Sequence, residues 1–129
     1  MTKIAIIEDD NLIAEMYRMK FDSDGFDTSV AENGLSGVEM VAKTQPDLVL
    51  LDLTLPDIGG DEVLEKIRSI STALATPVII LTNMDDQNAP KRLAKWDIAD
   101  YIVKANFTPR EVVAKIKDVL GRREALKKL

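Results

Sequence analysis

Residues 46–60, PDLVLLDLTLPDIGG, decide the fold, because a continuous apolar run there ends at Asp52 and a turn rich in proline and glycine follows. The run at residues 48–51 (LVLL) is short and apolar throughout, which is typical of a parallel strand covered on both faces. Two more runs of this kind occur at residues 4–7 (IAII) and 78–81 (VIIL). We therefore predict three buried strands in a parallel sheet.

Weaker runs at residues 101–103 (YIV) and 27–30 predict two further strands, and segments with helical spacing lie between the runs. Gly25 and Pro46 are expected to end the first two helices. Strands and helices thus alternate five times, which predicts an α/β fold, a doubly wound parallel sheet with helices on both faces. The helically spaced positions are, in chain order, Leu12, Ile13, Met16, Met19 and Lys20; Leu35, Val38, Val41 and Ala42; Val63, Leu64, Ile67 and Ile70; residues 87–96; and Val112, Val113, Ile116, Val119 and Leu120.

The composition is that of an ordinary soluble domain, with 46% hydrophobic and 30% charged residues in a chain of 129. No apolar run approaches the roughly 20 residues that cross a bilayer, and the first residues do not resemble a secretion signal. We therefore expect a cytoplasmic protein without membrane contact. The absence of cysteine excludes disulfides and thiolate metal sites.

The chain also contains no histidine, which excludes an imidazole zinc site, a catalytic triad and a phosphohistidine relay within it. Any bound metal must then be a hard cation with oxygen ligands: magnesium, manganese or calcium. The net charge of −5 argues against nucleic-acid binding. Residues 121–129 (GRREALKKL) nevertheless carry a local charge of +3, which leaves −8 on the other 120 residues.

Polar residues follow the predicted strands where each strand ends. In open α/β sheets the ligand site lies at the carboxyl ends of the strands, so these side chains are expected to converge. Each has a simpler explanation when taken alone; in particular, Asp10 or Asn11 is expected to cap the first helix. The convergent residues are Glu8, Asp9 and Asp10 after the first strand, Asp52 after the third, Thr82 after the fourth and Lys104 after the fifth.

This set suits phosphoryl transfer to a carboxylate. Carboxylates packed together repel one another, so Glu8, Asp9 and Asp52 require a cation, and Mg²⁺ (or Mn²⁺) bridges carboxylates to phosphoryl oxygens. Asp52 can then attack phosphorus while Lys104 balances charge and the Thr82 hydroxyl donates to a phosphoryl oxygen.

Four stretches carry a resemblance to a known family: IAIIEDDNLIAEMY (residues 4–17), PDLVLLDLTLPDIGGDEVL (46–64), PVIILTN (77–83) and ADYIVK (99–104). Together they resemble the receiver domain of bacterial two-component response regulators, in particular the stand-alone, chemotaxis-type regulators. The resemblance implies a flavodoxin-like (βα)5 sheet with strand order 2-1-3-4-5. We expect the receiver domain at residues 1–121, with residues 122–129 as a basic extension of the last helix or a frayed tail, and no output domain.

The resemblance also implies a role for each site residue. The protein would not be an enzyme acting on other molecules, but a phosphoacceptor that catalyses its own phosphorylation and slow dephosphorylation. Its donor would be a histidine kinase or histidine phosphotransfer protein. The target would be an unidentified protein bound at the fourth helix, fifth strand and fifth helix, through Lys91, Lys95 and Tyr101. The implied site roles are Asp52 as phosphoacceptor; Asp9, Glu8 (through water), Asp52 and the Thr54 backbone carbonyl as metal ligands; Lys104 as phosphate-binding residue; and Thr82 with Tyr101 as the switch pair.

Some positions depart from the family pattern. Ala105 replaces the proline that usually follows the lysine, and Asn83 replaces a small residue after Thr82. Asp97 replaces the usual glycine before the fifth strand, and an aspartate can tolerate the left-handed conformation there at modest cost. In the family, two positions orient the water that hydrolyses the aspartyl phosphate, and here they are Thr54 and Met84. Thr54 has a hydroxyl but a short reach, and Met84 is apolar. Slow self-dephosphorylation is therefore expected.

Three other functions fit the pattern less well. A pseudo-receiver that only binds proteins would lack one of the site residues, and none is missing. An aspartate-based phosphohydrolase would place a second acid where Thr54 stands, to act as general acid. A flavin-binding domain of this topology would have a loop rich in serine, threonine and glycine after the first strand, where this chain has three acids.

Overall fold

The fold follows directly from the alternation of buried strands and amphipathic helices. The computed structural model describes residues 1–82 and 88–129. Short 3-10 turns at Ser71–Ala73, Ala94–Trp96 and Lys104–Asn106 supplement the regular elements. The strands are β1 (Lys3–Ile7), β2 (Asp27–Ala31), β3 (Leu48–Asp52), β4 (Val78–Thr82) and β5 (Asp100–Val103), and the helices are α1 (Asn11–Ser23), α2 (Gly34–Thr44), α3 (Gly60–Ile67), α4 (Ala89–Leu93) and α5 (Pro109–Lys127).

The five strands form one parallel sheet in the order β2-β1-β3-β4-β5, which confirms the predicted α/β class and strand order. Alternate residues of each strand face opposite sides of the sheet. Ile6 and Leu50 pack against α1 and α5, whereas Ile7 and Leu51 pack against α2, α3 and α4. Both faces are therefore covered, which explains why β1, β3 and β4 are continuously apolar.

The buried face of α1 differs from the stripe that the spaced positions suggested. Tyr17 and Phe21 are 1% and 0% exposed, while Leu12 and Met19 are 84% and 66% exposed. The helix carries two apolar stripes, and the aromatic one faces the sheet because its rings fill the space beneath α1. There Phe21 stacks on Tyr17 and meets Phe26 edge-on. The helix itself is confirmed, and most of the spaced apolar positions that indicated it lie on its outer face.

In α2 the inner stripe contains glycines, which hydrophobic spacing cannot reveal. A Cβ atom at Gly37 would lie 2.7 Å from the Ile7 side chain, so only glycine lets this helix approach β1 so closely. Gly34, Gly37 and Val41 form the buried face, and Leu35 is exposed. The spaced position Ala42 is also exposed. The predicted helix is thus present, with its buried face rotated toward the glycines.

Helix ends agree with the sequence signals in some places and differ in others. Gln45 adopts a left-handed conformation and ends α2 just before Pro46, as expected. Asp97 is also left-handed, with φ of 55°, a conformation that an aspartate tolerates at modest cost. However, α3 ends at Ile67, so Ile70 lies beyond it. The fourth helix is a short α-helix continued by a 3-10 turn to Trp96, and its predicted start at residue 87 lies outside the described residues.

The last helix begins with a capping box, in which the Thr108 side chain accepts from the Glu111 N–H and the Glu111 side chain accepts from the Thr108 N–H. It continues to Lys127 and so includes most of the basic segment. Along residues 1–82 and 88–129 every peptide bond is trans, including the bond between Lys104 and Ala105. Within the same residues, no helix combines the length and apolar character that a membrane crossing requires.

Truncating the inner stripe of α1 should destabilise the protein far more than truncating the outer stripe. Phe21→Ala is expected to lower the free energy of unfolding by about 3–5 kcal/mol, because it leaves a cavity in the core. Met19→Ala, a matched change on the exposed face, should alter it by less than about 0.5 kcal/mol. Urea unfolding followed by circular dichroism measures both values, and equal losses would contradict the assigned orientation of α1.

Candidate functional site

The candidate site lies where β1 and β3 end side by side at the centre of the sheet. Asp52 is the last residue of β3, and Glu8 and Asp9 directly follow β1. One carboxylate oxygen from each of these three residues lies within 4.8 Å of the other two. Glu8 and Asp52 are 0% and 1% exposed, whereas Asp9 is exposed. The predicted convergence of these acids is therefore present, with Asp9 on the side that faces solvent.

Lys104 places its ammonium between the two buried carboxylates. Its Nζ lies 2.7 and 2.9 Å from the two oxygens of Glu8 and 3.1 Å from Oδ2 of Asp52. Only 10% of the lysine side chain is exposed. It reaches the site because β5 ends at Val103 and the following turn, Lys104–Asn106, begins at the same edge of the sheet. Two buried negative charges therefore share one positive charge.

The pKa values of the site reflect this imbalance. Burial, assisted by the charge of Asp52, raises the pKa of the Glu8 carboxyl to about 7. Burial also raises the pKa of Asp52, against the opposing effects of the Thr54 N–H and Lys104. For Lys104 burial acts to lower the pKa, but the hydrogen bond to Glu8 and the charge of Asp52 outweigh it, and the pKa is raised. The site thus favours an additional positive charge.

Backbone groups orient the carboxylates. The Thr54 N–H donates to Oδ1 of Asp52 at 3.0 Å, and the Asp10 N–H donates to Oε1 of Glu8 at 3.2 Å. The Asp10 side chain accepts from the N–H groups of Leu12 and Ile13 and so caps α1. This settles the choice between Asp10 and Asn11 as the helix cap. The Asp10 side chain therefore caps the helix, while its backbone N–H holds Glu8.

The acidic cluster fits a hard divalent cation. Its donors are carboxylate oxygens, which Mg²⁺ and Mn²⁺ prefer, and the sequence contains no cysteine or histidine to offer a thiolate or imidazole ligand. Oε2 of Glu8 is buried and lies 2.7 Å from the Lys104 ammonium. Because this one ammonium faces three acids, negative charge remains for a further cation to neutralise. Glu8, Asp9 and Asp52 could therefore hold a metal ion.

Thr82 and Tyr101 lie on the same side of the sheet on neighbouring strands. Ile80 pairs with Tyr101 and Thr82 pairs with Val103, so the two side chains are offset by two residues along β4 and β5. Thr82 is buried at the carboxyl end of β4. Tyr101 is partly buried and packs with the cluster that contains α4 residues. Asn83 and Met84, which the sequence analysis singled out, lie outside the described residues.

Two features of the site region escaped the sequence analysis. The first is an apolar surface: Leu12, Met16 and Met19, which the sequence analysis named only as helically spaced positions, are exposed and line it together with Pro109. Asp57 accepts hydrogen bonds from the first turn of α2, 22 and 23 residues earlier in the chain. Periodicity could have indicated the first feature, since α1 has two apolar stripes. The second depends on a long-range contact that no local pattern indicates.

Comparison with known proteins agrees with this geometry. The sequence model of the family described as response regulator receiver domain matches residues 4–117 of this chain. The response regulator ArlR of Staphylococcus saprophyticus is 36% identical over 122 residues, which cover 95% of this chain and 54% of that protein. The DNA-binding response regulator MtrA of Mycolicibacterium smegmatis is 34% identical, with 95% and 52% covered. The chain therefore spans about half the length of these relatives and matches their receiver part.

Solved structures give the same result. A CheY-like receiver domain protein from Methanospirillum hungatei superimposes with a TM-score of 0.88 at 25% identity, over 97% of this chain and 98% of that one. The chemotaxis response regulator CheY4 of Vibrio cholerae shares the fold, with a TM-score of 0.85 at 21% identity over 92% and 98% of the two chains. This chain belongs to the response regulator receiver family of two-component signal transduction, which confirms the resemblance seen in its sequence.

The raised pKa of Glu8 should make the metal-free protein less stable as the pH rises. Between about pH 5 and pH 7 the Glu8 carboxyl stays protonated in the folded state but is ionised in the unfolded state. The free energy of unfolding therefore falls across this range and becomes constant above it. The expected loss is on the order of 2 kcal/mol. The raised pKa of Lys104 acts only above the ordinary lysine value and leaves this window unaffected. Urea unfolding at several pH values measures the slope.

Glu8→Gln is the control for this prediction, because it keeps the side chain's shape but cannot ionise. It should flatten most of the pH dependence, and saturating Mg²⁺ should do the same in the unchanged protein by favouring the charged carboxylates. A stability that stays constant over this pH range in the metal-free protein would show that Glu8 is already ionised at low pH.

Proposed function

We propose that this receiver accepts a phosphoryl group on Asp52 from a histidine kinase or histidine phosphotransfer protein. We further propose that phosphorylation changes the surface formed by α4, β5 and α5. One observation carries the proposal: the two oxygens of Asp52 are held separately, Oδ1 by the Thr54 N–H and Oδ2 by the Lys104 ammonium. A carboxylate fixed in this way beside two further acids is suited to attack phosphorus.

In the proposed reaction a carboxylate oxygen of Asp52 attacks phosphorus, and the bond from phosphorus to the donor's imidazole nitrogen breaks. Lys104 is placed to follow the negative charge from the carboxylate to a phosphoryl oxygen, since its Nζ already contacts Oδ2. The Thr82 hydroxyl would donate to another phosphoryl oxygen. Mg²⁺, held by Asp9, Asp52, Glu8 through water and the Thr54 carbonyl, would supply the remaining charge neutralisation.

A protein donor fits the surface around the site. Because Asp10 caps α1 directly after the acidic cluster, the exposed outer stripe of that helix begins next to Asp9. A donor that brings a phosphohistidine to Asp52 would therefore cover Leu12 and Met16, and burial of this apolar surface would contribute to the affinity. The phosphoryl group must come from another molecule, since the chain has no histidine.

The switch that we propose couples Thr82 to Tyr101. Movement of the Thr82 hydroxyl toward the phosphoryl group would open space on its face of the sheet, and the partly buried Tyr101 ring would turn inward. The target protein would detect this change at the α4-β5-α5 surface, where Lys91 and Lys95 are candidate contacts. The phosphorylated state would be long-lived, because Thr54 and Met84 offer little to orient a water; Met84 lies outside the described residues.

Phosphorylation of Asp52 can be tested with a small donor. Incubation with acetyl phosphate and Mg²⁺ should add one phosphoryl group, and Asp52→Asn should prevent this because the nucleophile is lost. Asp47→Asn is the matched control, since it replaces another aspartate at an exposed position and should be labelled normally. Mass spectrometry of the intact proteins measures the addition. Equal labelling of the Asp52→Asn protein would refute the assignment.

The proposed switch predicts that Thr82→Ala separates phosphorylation from its structural effect. The variant should still be phosphorylated on Asp52, but its amide spectrum around Tyr101 and α5 should change less than that of the unchanged protein. Thr76→Ala, which truncates a buried threonine before the opposite end of β4, should retain the full change. Unaltered amide signals of Tyr101 and α5 on phosphorylation of the unchanged protein would refute the coupling.

A further inference from the structure

The loop between β3 and α3, residues 53–59, carries Thr54 and leads directly from the phosphoacceptor to the next helix. Thr54 is exposed, and the side-chain contacts that tie this loop to α2 come from Asp57 and Ile58. Its backbone N–H donates to Asp52, and its carbonyl is the ligand that we propose for the metal. The position of this loop therefore determines whether the carbonyl of Thr54 can contribute to the site.

Asp57 attaches this loop to the first turn of α2. Its two carboxylate oxygens accept from the N–H of Gly34 at 2.8 Å and from the N–H of Leu35 at 2.9 Å. Asn33 accepts from the N–H of Ser36 at 2.9 Å. The helix start thus uses one cap from its own sequence and one from the loop, and a carboxylate is favoured there by the helix dipole.

The contact between loop and helix is close as well as polar. A Cβ atom at Gly34 would lie 2.5 Å from Cγ1 of Ile58 and 2.8 Å from Cγ2 of Val63, so the loop packs against bare backbone at the start of α2. The N–H groups from α2 lower the pKa of Asp57, in keeping with a carboxylate that is ionised in this contact. Two independent features, hydrogen bonds and side-chain packing, therefore fix the loop three to four residues beyond Thr54.

We propose that Asp57 is a positioning residue for metal binding. By tying residues 53–59 to α2, it holds the backbone of Thr54 beside Asp52 and so keeps the proposed carbonyl ligand in place. This inference rests on the proposed function of the site, because it assumes that the metal is bound there. Asp57 itself does not reach the acidic cluster; it acts through the loop. Its loss should weaken binding of Mg²⁺ without preventing phosphorylation once the metal is saturating.

The test compares Asp57→Ala with Asp47→Ala. Asp47 is a matched control, because it is also exposed and its side chain accepts from the N–H of Lys3 at 2.7 Å, in a distant part of the sequence. This contact lies at the amino ends of β1 and β3, away from the acidic cluster. Titration of each protein with Mg²⁺, followed by the amide signals of residues 52–54, gives the dissociation constant. Unfolding in urea, measured on the same samples, reports the stability that each change removes.

Asp57→Ala should weaken Mg²⁺ binding about tenfold, within the range found for residues that orient metal ligands. The Mg²⁺ affinity of Asp57→Asn should lie between those of Asp57→Ala and the unchanged protein, because the amide oxygen still accepts a hydrogen bond but carries no charge. Asp47→Ala should bind the metal as the unchanged protein does, even where its stability falls as much as that of Asp57→Ala. With acetyl phosphate, Asp57→Ala should show a raised half-saturating Mg²⁺ concentration and a nearly unchanged maximal rate.

Unaltered metal affinity in Asp57→Ala would overturn the proposal, and so would an equal loss in Asp47→Ala, which would indicate general destabilisation. Absence of any Mg²⁺-dependent change at residues 52–54 in the unchanged protein would also overturn it. The proposed function fails by a different result, namely metal binding without phosphorylation of Asp52. In that case the metal titrations still decide the role of Asp57.

Discussion

The sharing of one ammonium by two buried carboxylates is the constraint on which the rest of this structure depends. Glu8 directly follows β1 and Asp52 ends the neighbouring strand β3, and Lys104 brings only one positive charge to these two negative ones. Removing charges from water costs free energy unless they are paired, so the sheet centre must be built rigidly around this group. The apolar strands supply that rigidity, and the imbalance of charge supplies the reason to bind a cation.

The fold turns a one-dimensional pattern into this arrangement. Because β3 and β4 are apolar until their last residues and β1 is apolar after its first, Asp52, Thr82 and the acids after β1 all lie at the carboxyl ends of these strands, which in a parallel sheet lie on one edge. Strand order reverses between β1 and β3, which opens the crevice at the point where the acids lie. The same edge also carries the loop with Thr54 and the start of α1, so metal, donor and switch elements would all meet within one small region.

Sequence reasoning succeeded where a pattern is local and failed where a contact is distant. Apolar runs located four of the strands and a weaker pattern located β2, and the ends of β1, β3 and β5 located Glu8, Asp52 and Lys104, because strand termini converge in any parallel sheet. The buried face of α1 could not be chosen, since both stripes are apolar and only the packing of Phe21 in the core decides between them. Asp57 was missed because its partners are the amides of another helix.

The order of these charges along the chain has a consequence for folding. The acids of β1 and β3 are made early, and Lys104 follows Asp52 by 52 residues. A nascent chain that has paired β1 with β3, but has not yet synthesised β5, holds the acidic cluster without its internal cation. Parallel pairing across long sequence separations is slow in any case, and the uncompensated repulsion would slow it further. A divalent cation that screened these carboxylates during translation would remove this repulsion until Lys104 is in place.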